Sequence, residues 1–277
     1  MSENRSPRPA GLEDGPLAER LDLAQELGRT AARNIMPLFR SPAMGLEKKG
    51  DGSPVTRADR ETEALLRQEI VRRFPEDGLV GEELGIQEGR QPHGFRWILD
   101  PIDGTESFVR GVPLFGTLIG IEFAGVSVAG VLALPALGDL LYAARDRGAW
   151  WVRGSDPPVR ARVSDIATLD RAMLSTAGGA GFHHAGRGDA LERLERSVAK
   201  SRGWSDCYGY FLLATGSVDA MVDPRMHLWD NAALLPIVEE AGGRFTDWDG
   251  VPTIYSPNAV ATNGCLHDAV LALLQPA

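Results

Sequence analysis

The sequence predicts a mixed α/β fold built from two halves, and two stretches of the chain carry this prediction. Between residues 95 and 151, apolar or alternating runs follow one another across short turns containing Gly, Pro or Asp, as in an antiparallel sheet. After Leu169 the pattern alternates between strand-like and helix-like segments, as in an α/β unit. We expect an N-terminal α+β half over residues 17–168 and a C-terminal α/β half over residues 169–277, packed as one body.

The first half is predicted to open with two amphipathic helices. Residues 1–16, "MSENRSPRPAGLEDGP", are polar and rich in Pro and Gly, and we expect them to form a disordered tail. Apolar residues then recur every three or four positions over residues 17–39, which is the spacing of a helix with one buried face. A second helix is predicted over residues 57–74, ended by Pro75, and the long polar loop "GLEKKGDGSPVTRAD" joins the two helices.

Strand-like segments follow the second helix. A short strand in "DGLVGEELG" ends at Glu82 and Glu83, which stand side by side at its exit. Four consecutive strands are then predicted in "RWILD", "GTLIGIEFAG", "VSVAGVLALPAL" and "DLLYAARDRGAWWVRG". The alternating pattern of the second half runs through "AMLSTAG", "GDALERLERSVA", "DCYGYFLLATGSVDAMVD", "LWDNAALLPIVEEAGG", "RFTDWDG" and "LHDAVLALL".

Charge and composition exclude several classes of protein. The net charge is -9 and no run of five or more basic residues occurs, which argues against a nucleic-acid partner. No apolar run approaches the roughly 18 residues of a membrane span, and the start lacks the apolar segment of an export signal. Cys207 and Cys265 lack disulfide or metal spacing, so we expect buried thiols in a reducing cytoplasm. An acidic chain repels an anionic metabolite unless divalent cations bind some of the carboxylates.

The segment "WILDPIDGTESF" concentrates acidic residues at the end of an apolar strand. Asp100 and Asp103 flank a rigid Pro, so their carboxylates and the Ile102 carbonyl can converge on one point as the hard oxygen ligands that Mg²⁺ requires. Gly104 and Thr105 open a predicted short helix whose free amides can bind phosphate. An ordinary turn is the alternative interpretation. We therefore predict a metal site next to an anion site.

Two further acidic positions fit the same site. Glu82 and Glu83 could form a solvated turn, but with Asp100 and Asp103 they supply the additional carboxylate that a site for several metals needs. In "HLWDNAALLPIVEEAGG", Asp230 is a good N-cap for the helix that follows. Asp230 also stands where it could face the first half across a cleft.

These segments together resemble a known family. "GEE", "WILDPIDGTESF" and "WDNAALLPIVEEAGG", in this order and at these distances, resemble the inositol monophosphatase-like family of Mg²⁺-dependent, lithium-sensitive phosphatases. The resemblance extends to "GSPVTRADRETE", "GYFLLATGSVDAMVD" and "ATNGCLHDAVL", so it covers essentially everything after the tail. Within the family, "RGVPLFGTLIGI", "SDCYGYFLLATG" and "DPRMHLWDNAALLPIVEEAGGRFTDWDG" are most similar to the branch that hydrolyses L-histidinol phosphate in histidine biosynthesis.

The resemblance implies an αβαβα sandwich of the sugar-phosphatase type, with the site in the cleft between the halves and a homodimer as the assembly. It also implies the ligands of two or three Mg²⁺ ions. Glu82, Asp100 and the Ile102 carbonyl would hold the first ion, and Asp100, Asp103 and Asp230 the second. Glu82 would also help to hold a third, weaker ion.

The resemblance assigns further roles around the phosphate. The Thr105 hydroxyl would orient the attacking water together with Glu82, and Thr56 and Asp59 would support Thr105 through hydrogen bonds. The ions would neutralise the clustered carboxylates and lower the pKa of a bound water for in-line attack on phosphorus. The residues expected to contact the substrate, a small phosphorylated metabolite, are Asp103, Gly104, Thr105, Asp206, Asp223 and Asp230.

Residues in the C-terminal half of the chain are expected to determine which alcohol is released from the phosphate. Asp206 and Asp223 match the family's alcohol-side positions, and two carboxylates favour a substrate with an ammonium group, such as histidinol phosphate. Inositol-1-phosphate is the first alternative substrate, and fructose 1,6-bisphosphate and 3′-phosphoadenosine 5′-phosphate are the next alternatives. A non-catalytic regulator that binds metal or phosphate is the alternative outside enzymes. His227 could reach the substrate, although a structural role is the simpler interpretation, and Glu106 adds negative charge beside the cleft.

Overall fold

The computed structural model describes residues 8–50 and 52–276, so the first seven residues of the predicted tail lie outside the described residues. The helices of this part are α1 Asp14–Ile35, α2 Arg57–Arg73, α3 Thr105–Val109, α4 Gly179–His184, α5 Gly188–Ser197, α6 Asp206–Ala214, α7 Leu228–Glu240 and α8 His267–Leu274. The strands are β1 Glu47–Lys48, β2 Pro54–Val55, β3 Gly78–Gly81, β4 Gly85–Gln87, β5 Phe95–Asp103, β6 Gly116–Phe123, β7 Val126–Leu134, β8 Asp139–Ala144, β9 Gly148–Arg153, β10 Val159–Arg160, β11 Met173–Thr176, β12 Lys200–Arg202, β13 Ala220–Asp223, β14 Arg244–Thr246 and β15 Ala259–Thr262. None of the described helices is long and apolar enough to cross a membrane.

Two sheets organise these elements. The first has the strand order β10-β9-β8-β7-β6-β5-β3-β4, and its neighbours are antiparallel except for β3 and β5, which are parallel. The second has the order β12-β11-β13-β15-β14, with β11 parallel to both of its neighbours. The predicted boundary between residues 168 and 169 falls between the two sheets, because the first ends at β10 and the second starts at β11. The short strands β1 and β2 form a separate hairpin.

Three apolar clusters separate successive layers of helix and sheet. The helices α1 and α2 cover one face of the first sheet, where Leu27 and Val131 belong to the same buried cluster. The helices α6 and α7 lie between the two sheets, and a second cluster joins Leu132 of the first sheet, Leu234 of α7 and Ala261 of the second. A third cluster lies between the second sheet and α4, α5 and α8. The predicted αβαβα sandwich is therefore confirmed.

The N-terminal segment contacts the first sheet. Helix α1 begins at Asp14, three residues before the predicted start at residue 17. Arg8, in the described part of the predicted tail, forms salt bridges with Asp14 and with Asp146, and Leu12 is buried. These contacts hold residues 8–13 against the turn between β8 and β9.

Two sequence predictions outside the site are wrong. The run "DLLYAARDRGAWWVRG" was predicted as one strand, but it forms the antiparallel pair β8 and β9. Asp146 and Gly148 have φ of 64° and 75°, and this left-handed backbone reverses the chain between the two strands. The second error concerns the two cysteines, which were both expected to be buried. Cys207 is buried, but Cys265 is exposed in the turn that precedes α8.

Candidate active site

A β-bulge brings Asp100 and Asp103 to the same place. Successive side chains of a regular strand point to opposite faces, so two residues three positions apart would face away from each other. Opposite β6, however, Asp100 pairs with Leu118 and Asp103 pairs with Gly116, so β5 contains one more residue than its partner between these points. The extra residue is a bulge, which restores the alignment of the two carboxylates.

The third carboxylate of the cluster comes from the second half of the chain. Asp230 lies in the first turn of α7, and one carboxylate oxygen from each of Asp100, Asp103 and Asp230 lies within 4.8 Å of the others. Asp230 is not the N-cap suggested by the sequence. His227 is the N-cap, and its backbone N–H donates to Oδ2 of Asp230 over 2.7 Å. This bond fixes the Asp230 carboxylate at the helix start.

Burial and mutual repulsion raise the pKa of all three carboxylates of the cluster. Burial, reinforced by the charge of Glu82, raises the pKa of Asp100 well above its usual range. Burial, reinforced by the charge of Asp206, also raises the pKa of Asp103 well above its usual range. Burial raises the pKa of Asp230 to about 7. Such a site favours any group that supplies positive charge.

The cluster fits a hard divalent cation. Its donors are all oxygens, which is the ligand set that Mg²⁺ prefers. Oδ1 of Asp100 is buried and has no hydrogen-bond partner among the described residues. The carbonyl oxygen of Ile102 accepts a bond from Oγ1 of Thr105 at 2.9 Å, and its second lone pair stays available for a metal. Asp100, Asp103, Asp230 and this carbonyl could therefore hold a metal ion together.

Glu82 completes the acidic face, and its partner is a lysine that the sequence analysis missed. The backbone N–H of Glu82 donates to the carbonyl of Leu99, which extends the pairing of β3 with β5 and places Glu82 beside Asp100. Nζ of Lys49 lies 2.6 Å from Oε1 of Glu82 and 2.6 Å from Oε1 of Glu83. The ammonium group supplies the positive charge that a metal ion would supply to these carboxylates. Lys49 lies in the polar loop between the first two helices, where only proximity in the fold reveals its role.

A buried glutamate positions the turn that carries Glu82. Glu63 of α2 is fully buried, and its carboxylate accepts bonds from the backbone N–H groups of Glu83 and Leu84 at 2.7 and 3.1 Å. A Cβ at Gly81 would lie 2.0 Å from Oε1 of Glu63, so only glycine allows this approach. The glycine of "GEE" thus has a packing reason that the sequence alone does not supply.

The predicted phosphate and water-orienting residues lie next to the cluster. Gly104 precedes α3 with φ of 80°, which is the left-handed region, and Thr105 is the first residue of the helix. Among the described residues, Oγ1 of Thr105 donates to the Ile102 carbonyl and forms no hydrogen bond with Thr56 or Asp59. Those two residues instead form the capping box of α2, where Oγ1 of Thr56 donates to Oδ2 of Asp59 over 2.6 Å. Their predicted support of Thr105 remains a prediction.

The second half supplies the opposite wall of the cleft. Asp206 and Asp223 line one pocket together with Asp103 and Asp230. Asp223 is buried and accepts bonds from the Tyr210 hydroxyl at 2.8 Å and from the Ala177 backbone N–H at 3.1 Å. Burial raises the pKa of Asp223 to about 7. The two predicted substrate-side carboxylates are thus within the same cleft as the metal-type cluster.

Asp206 and Arg225 add detail that the sequence analysis did not provide. Asp206 starts α6 with φ of 56°, an uncommon conformation for a residue with a side chain, and accepts a bond from the Ser205 hydroxyl. Arg225 is exposed at the rim of the same pocket. A strained backbone like that of Asp206 is often found at functional sites.

Two other sequence candidates have structural partners. Glu106 is exposed and pairs with Arg110 one turn later in the chain, so its negative charge is balanced. His227 is exposed and stacks on Trp229 with a centroid distance of 5.0 Å, outside the residues that line the pocket. Within the described ranges, the group of three or more potential metal ligands consists of Asp100, Asp103 and Asp230.

Comparison with known proteins places the chain in a family. The model of the inositol monophosphatase family matches residues 17–277. A histidinol-phosphatase of Streptomyces coelicolor is 40% identical over 92% of this chain and 96% of its own length, and one of Mycobacterium tuberculosis is 41% identical over 91% and 94%. The solved structure of an IMPase from Thermotoga maritima is 33% identical and superposes with a TM-score of 0.82 over 92% of this chain and 96% of its own. The chain belongs to the inositol monophosphatase family.

Proposed function

We propose that this chain is a Mg²⁺-dependent phosphatase that hydrolyses L-histidinol phosphate to L-histidinol and phosphate. The chain is a phosphoric monoester hydrolase, as its family and its relatives indicate. The observation that carries the choice of substrate is the pair of carboxylates Asp206 and Asp223, which line the cleft that also contains the metal-type cluster. An alcohol with an ammonium group suits such a wall, and relatives named histidinol-phosphatase cover nearly the whole chain.

We infer the following roles for the residues around the phosphate. Glu82, Asp100, the Ile102 carbonyl, Asp103 and Asp230 would hold the metal ions. When bound there, Mg²⁺ would neutralise the carboxylates, lower the pKa of a bound water and stabilise charge on the phosphoryl oxygens.

The remaining roles fall to residues that bind and orient. The amides of Gly104 and Thr105 would bind the phosphate, since they open α3 directly after the metal-type ligand Asp103. The Thr105 hydroxyl and Glu82 orient the water that attacks phosphorus in line with the departing alcohol. Water supplies the proton for the released alcohol, so the products are the alcohol and inorganic phosphate.

Electrostatics on the alcohol side supports a cationic leaving group. Asp223 is buried, and this burial, reinforced by the charges of Asp206 and Asp103, raises its pKa to about 7. An ammonium group beside Asp223 would favour the ionised carboxylate, so binding of a cationic alcohol would be coupled to loss of a proton from the protein. A hydroxyl of inositol would gain only a neutral hydrogen bond in the same place.

A second candidate follows from Arg225. An arginine at the rim of the pocket favours a substrate with a second anionic group at its far end, such as fructose 1,6-bisphosphate. A Thermotoga maritima relative named fructose-1,6-bisphosphatase/inositol-1-monophosphatase is 34% identical over 92% of this chain. Removal of the Arg225 charge would lower the efficiency toward a bisphosphate and would leave or improve that toward a cationic monoester.

Phosphate release from four substrates tests the proposal. The substrates are L-histidinol phosphate, inositol-1-phosphate, fructose 1,6-bisphosphate and 3′-phosphoadenosine 5′-phosphate, each with saturating Mg²⁺. We expect the highest kcat/KM for histidinol phosphate, and Asp223→Asn should lower that value about tenfold more than the value for inositol-1-phosphate. A higher kcat/KM for another substrate would refute the assignment. Absence of release from all four would support a non-catalytic regulator.

A further inference from the structure

We propose that Ser127 positions the metal ligand Asp230 by replacing a backbone hydrogen bond that Pro236 removes from α7. The inference rests on the proposed metal site, of which Asp230 is one ligand. Ser127 touches neither the cluster nor the cleft residues named above, so it is a positioning residue and acts only through the helix.

Pro236 leaves a carbonyl group inside α7 without its usual partner. In an α-helix the N–H of residue 236 would donate to the carbonyl of residue 232, but proline has no N–H. The Ala232 carbonyl instead accepts a bond from Oγ of Ser127 over 2.6 Å, and both residues are buried. A buried carbonyl without a donor is strongly unfavourable, so the Ser127 hydroxyl satisfies a specific deficit of this helix.

A second β-bulge, in β7, places Ser127 next to the Ala232 carbonyl. Opposite β6, Ala129 pairs with Ile121 and Ser127 pairs with Glu122, so Val128 is an extra residue in β7. The bulge shifts the alternation of side chains along β7. Ser127 therefore faces α7 at the level of Ala232.

The helix lies so close to the sheet that one hydrogen bond can fix its rotation. A Cβ at Gly120 would lie 2.6 Å from Cβ of Ala232, and a Cβ at Gly130 would lie 2.1 Å from the carbonyl oxygen of Ala233. These glycines let the backbone of α7 rest directly on β6 and β7. At Gly120 only the methyl group of Ala232 lies between the two backbones, so the directional Ser127 bond constrains how the helix is turned.

Asp230 lies two residues before the bonded carbonyl. Asp100 and Asp103 belong to the sheet, whereas Asp230 belongs to the helix, so a small rotation of α7 changes the distances within the cluster. Metal ions bind with high affinity only when their ligands hold the required geometry. Loss of the Ser127 bond should therefore weaken metal binding in addition to stability.

A double-mutant cycle with Pro236 tests this inference. The variants are S127A, P236A and S127A/P236A, and the readouts are the dissociation constant of Mn²⁺ or Mg²⁺ by calorimetry, the Mg²⁺ concentration for half-maximal activity, and kcat and KM. We expect S127A to weaken metal binding about tenfold. In P236A the amide of residue 236 can donate to Ala232, so adding S127A should change metal affinity by less than about threefold.

S175A is the matched control, because Ser175 is a buried serine of the second sheet whose Oγ also donates to a backbone carbonyl, that of the half-buried Trp204. It should lower Tm without changing metal affinity. Wild-type affinity in S127A, or an equal loss in S127A and in S127A/P236A relative to P236A, would overturn the inference. If S127A does not fold, a double variant that folds and binds metal like P236A supports it, and a double variant that also fails to fold overturns it. Absence of metal binding to the wild type would instead refute the proposed function.

Discussion

The carboxylate of Asp103, the last residue of β5, accepts a hydrogen bond from the backbone N–H of Cys207, near the start of α6. This bond joins the first sheet to the second half of the chain at the floor of the cleft. The same Asp103 carboxylate also contributes an oxygen to the cluster with Asp100 and Asp230. The carboxylate cluster and the substrate-side wall are therefore directly connected, and a substitution on either side should alter the geometry of the other.

The stability of the metal-free protein should fall as the pH rises. Burial raises the pKa of Asp230 and of Asp223 to about 7 and that of Asp59 to about 6. These values lie above the ordinary value near 4, so between about pH 4 and pH 7 the folded chain binds more protons than the unfolded chain. The free energy of unfolding decreases through this window.

His267 changes the free energy of unfolding in the opposite direction as the pH rises. Burial lowers its pKa to about 4, so its contribution to stability rises with pH between about 4 and 6.5. The carboxylates outnumber this single group, and we expect Tm in EDTA to be about 5 °C lower at pH 8 than at pH 5. Mg²⁺ should raise Tm more at pH 8 than at pH 5, and Asp230→Asn should flatten the pH dependence. A Tm in EDTA that increases from pH 5 to pH 8 would contradict the prediction.

Lys49→Gln should destabilise the metal-free protein and strengthen its response to metal. The Lys49 ammonium group contacts the carboxylates of Glu82 and Glu83, so its removal leaves two adjacent negative charges without a counter-charge. The pair is partly exposed, so the loss should be about 1 kcal/mol in the free energy of unfolding. We expect a lower Tm in EDTA and a larger increase of Tm on addition of Mg²⁺.

Lys48→Gln is the control for this change, because Lys48 is an exposed neighbour on β1. It removes the same charge from the same hairpin, and its thermal response to Mg²⁺ should match that of the wild type. Identical melting curves for the two lysine variants, with and without Mg²⁺, would show that Lys49 has no special role at the site.

Gly130→Ala should disturb the contact between α7 and the first sheet. The added Cβ would meet the carbonyl oxygen and other backbone atoms of Ala233, which cannot move without moving the helix. Overpacking of this kind typically costs about 1–3 kcal/mol, and here it should lower Tm by several degrees. Gly203→Ala is the control, since a Cβ there would meet no atom within 4 Å. Equal Tm values for the two variants would mean that the close approach of α7 is not needed.

Local sequence patterns were sufficient to predict the two halves and the acidic cluster, whereas the αβαβα layering followed from the resemblance to the family. The spacing of Asp100 and Asp103 around a proline, followed by Gly104, is a local signal with a direct chemical meaning. Asp230 was recognisable for the same reason, although its place in the helix was misjudged by three residues, because N-cap and N3 aspartates have similar sequence contexts.

Features that depend on contacts between distant segments could not be predicted. The bulge in β5 appears only when its register against β6 is known, and Lys49 meets Glu82 only after the hairpin folds over the sheet. The bond from Ser127 to Ala232 joins residues 105 positions apart, and neither residue type is distinctive in the sequence. A proline inside α7 leaves one carbonyl without its usual donor, but the sequence does not reveal which residue supplies the replacement.

The most direct test of the central claim compares the wild type with Asp100→Asn. The measurement is phosphate release from L-histidinol phosphate as Mg²⁺ is titrated from zero in EDTA-treated protein, with Mg²⁺ binding measured by calorimetry on the same samples. We predict no turnover of the wild type without metal, and a loss of about a thousandfold or more in kcat for Asp100→Asn with weakened metal binding and an intact fold. A kcat near the wild-type value in Asp100→Asn, or wild-type turnover in EDTA, would contradict the account.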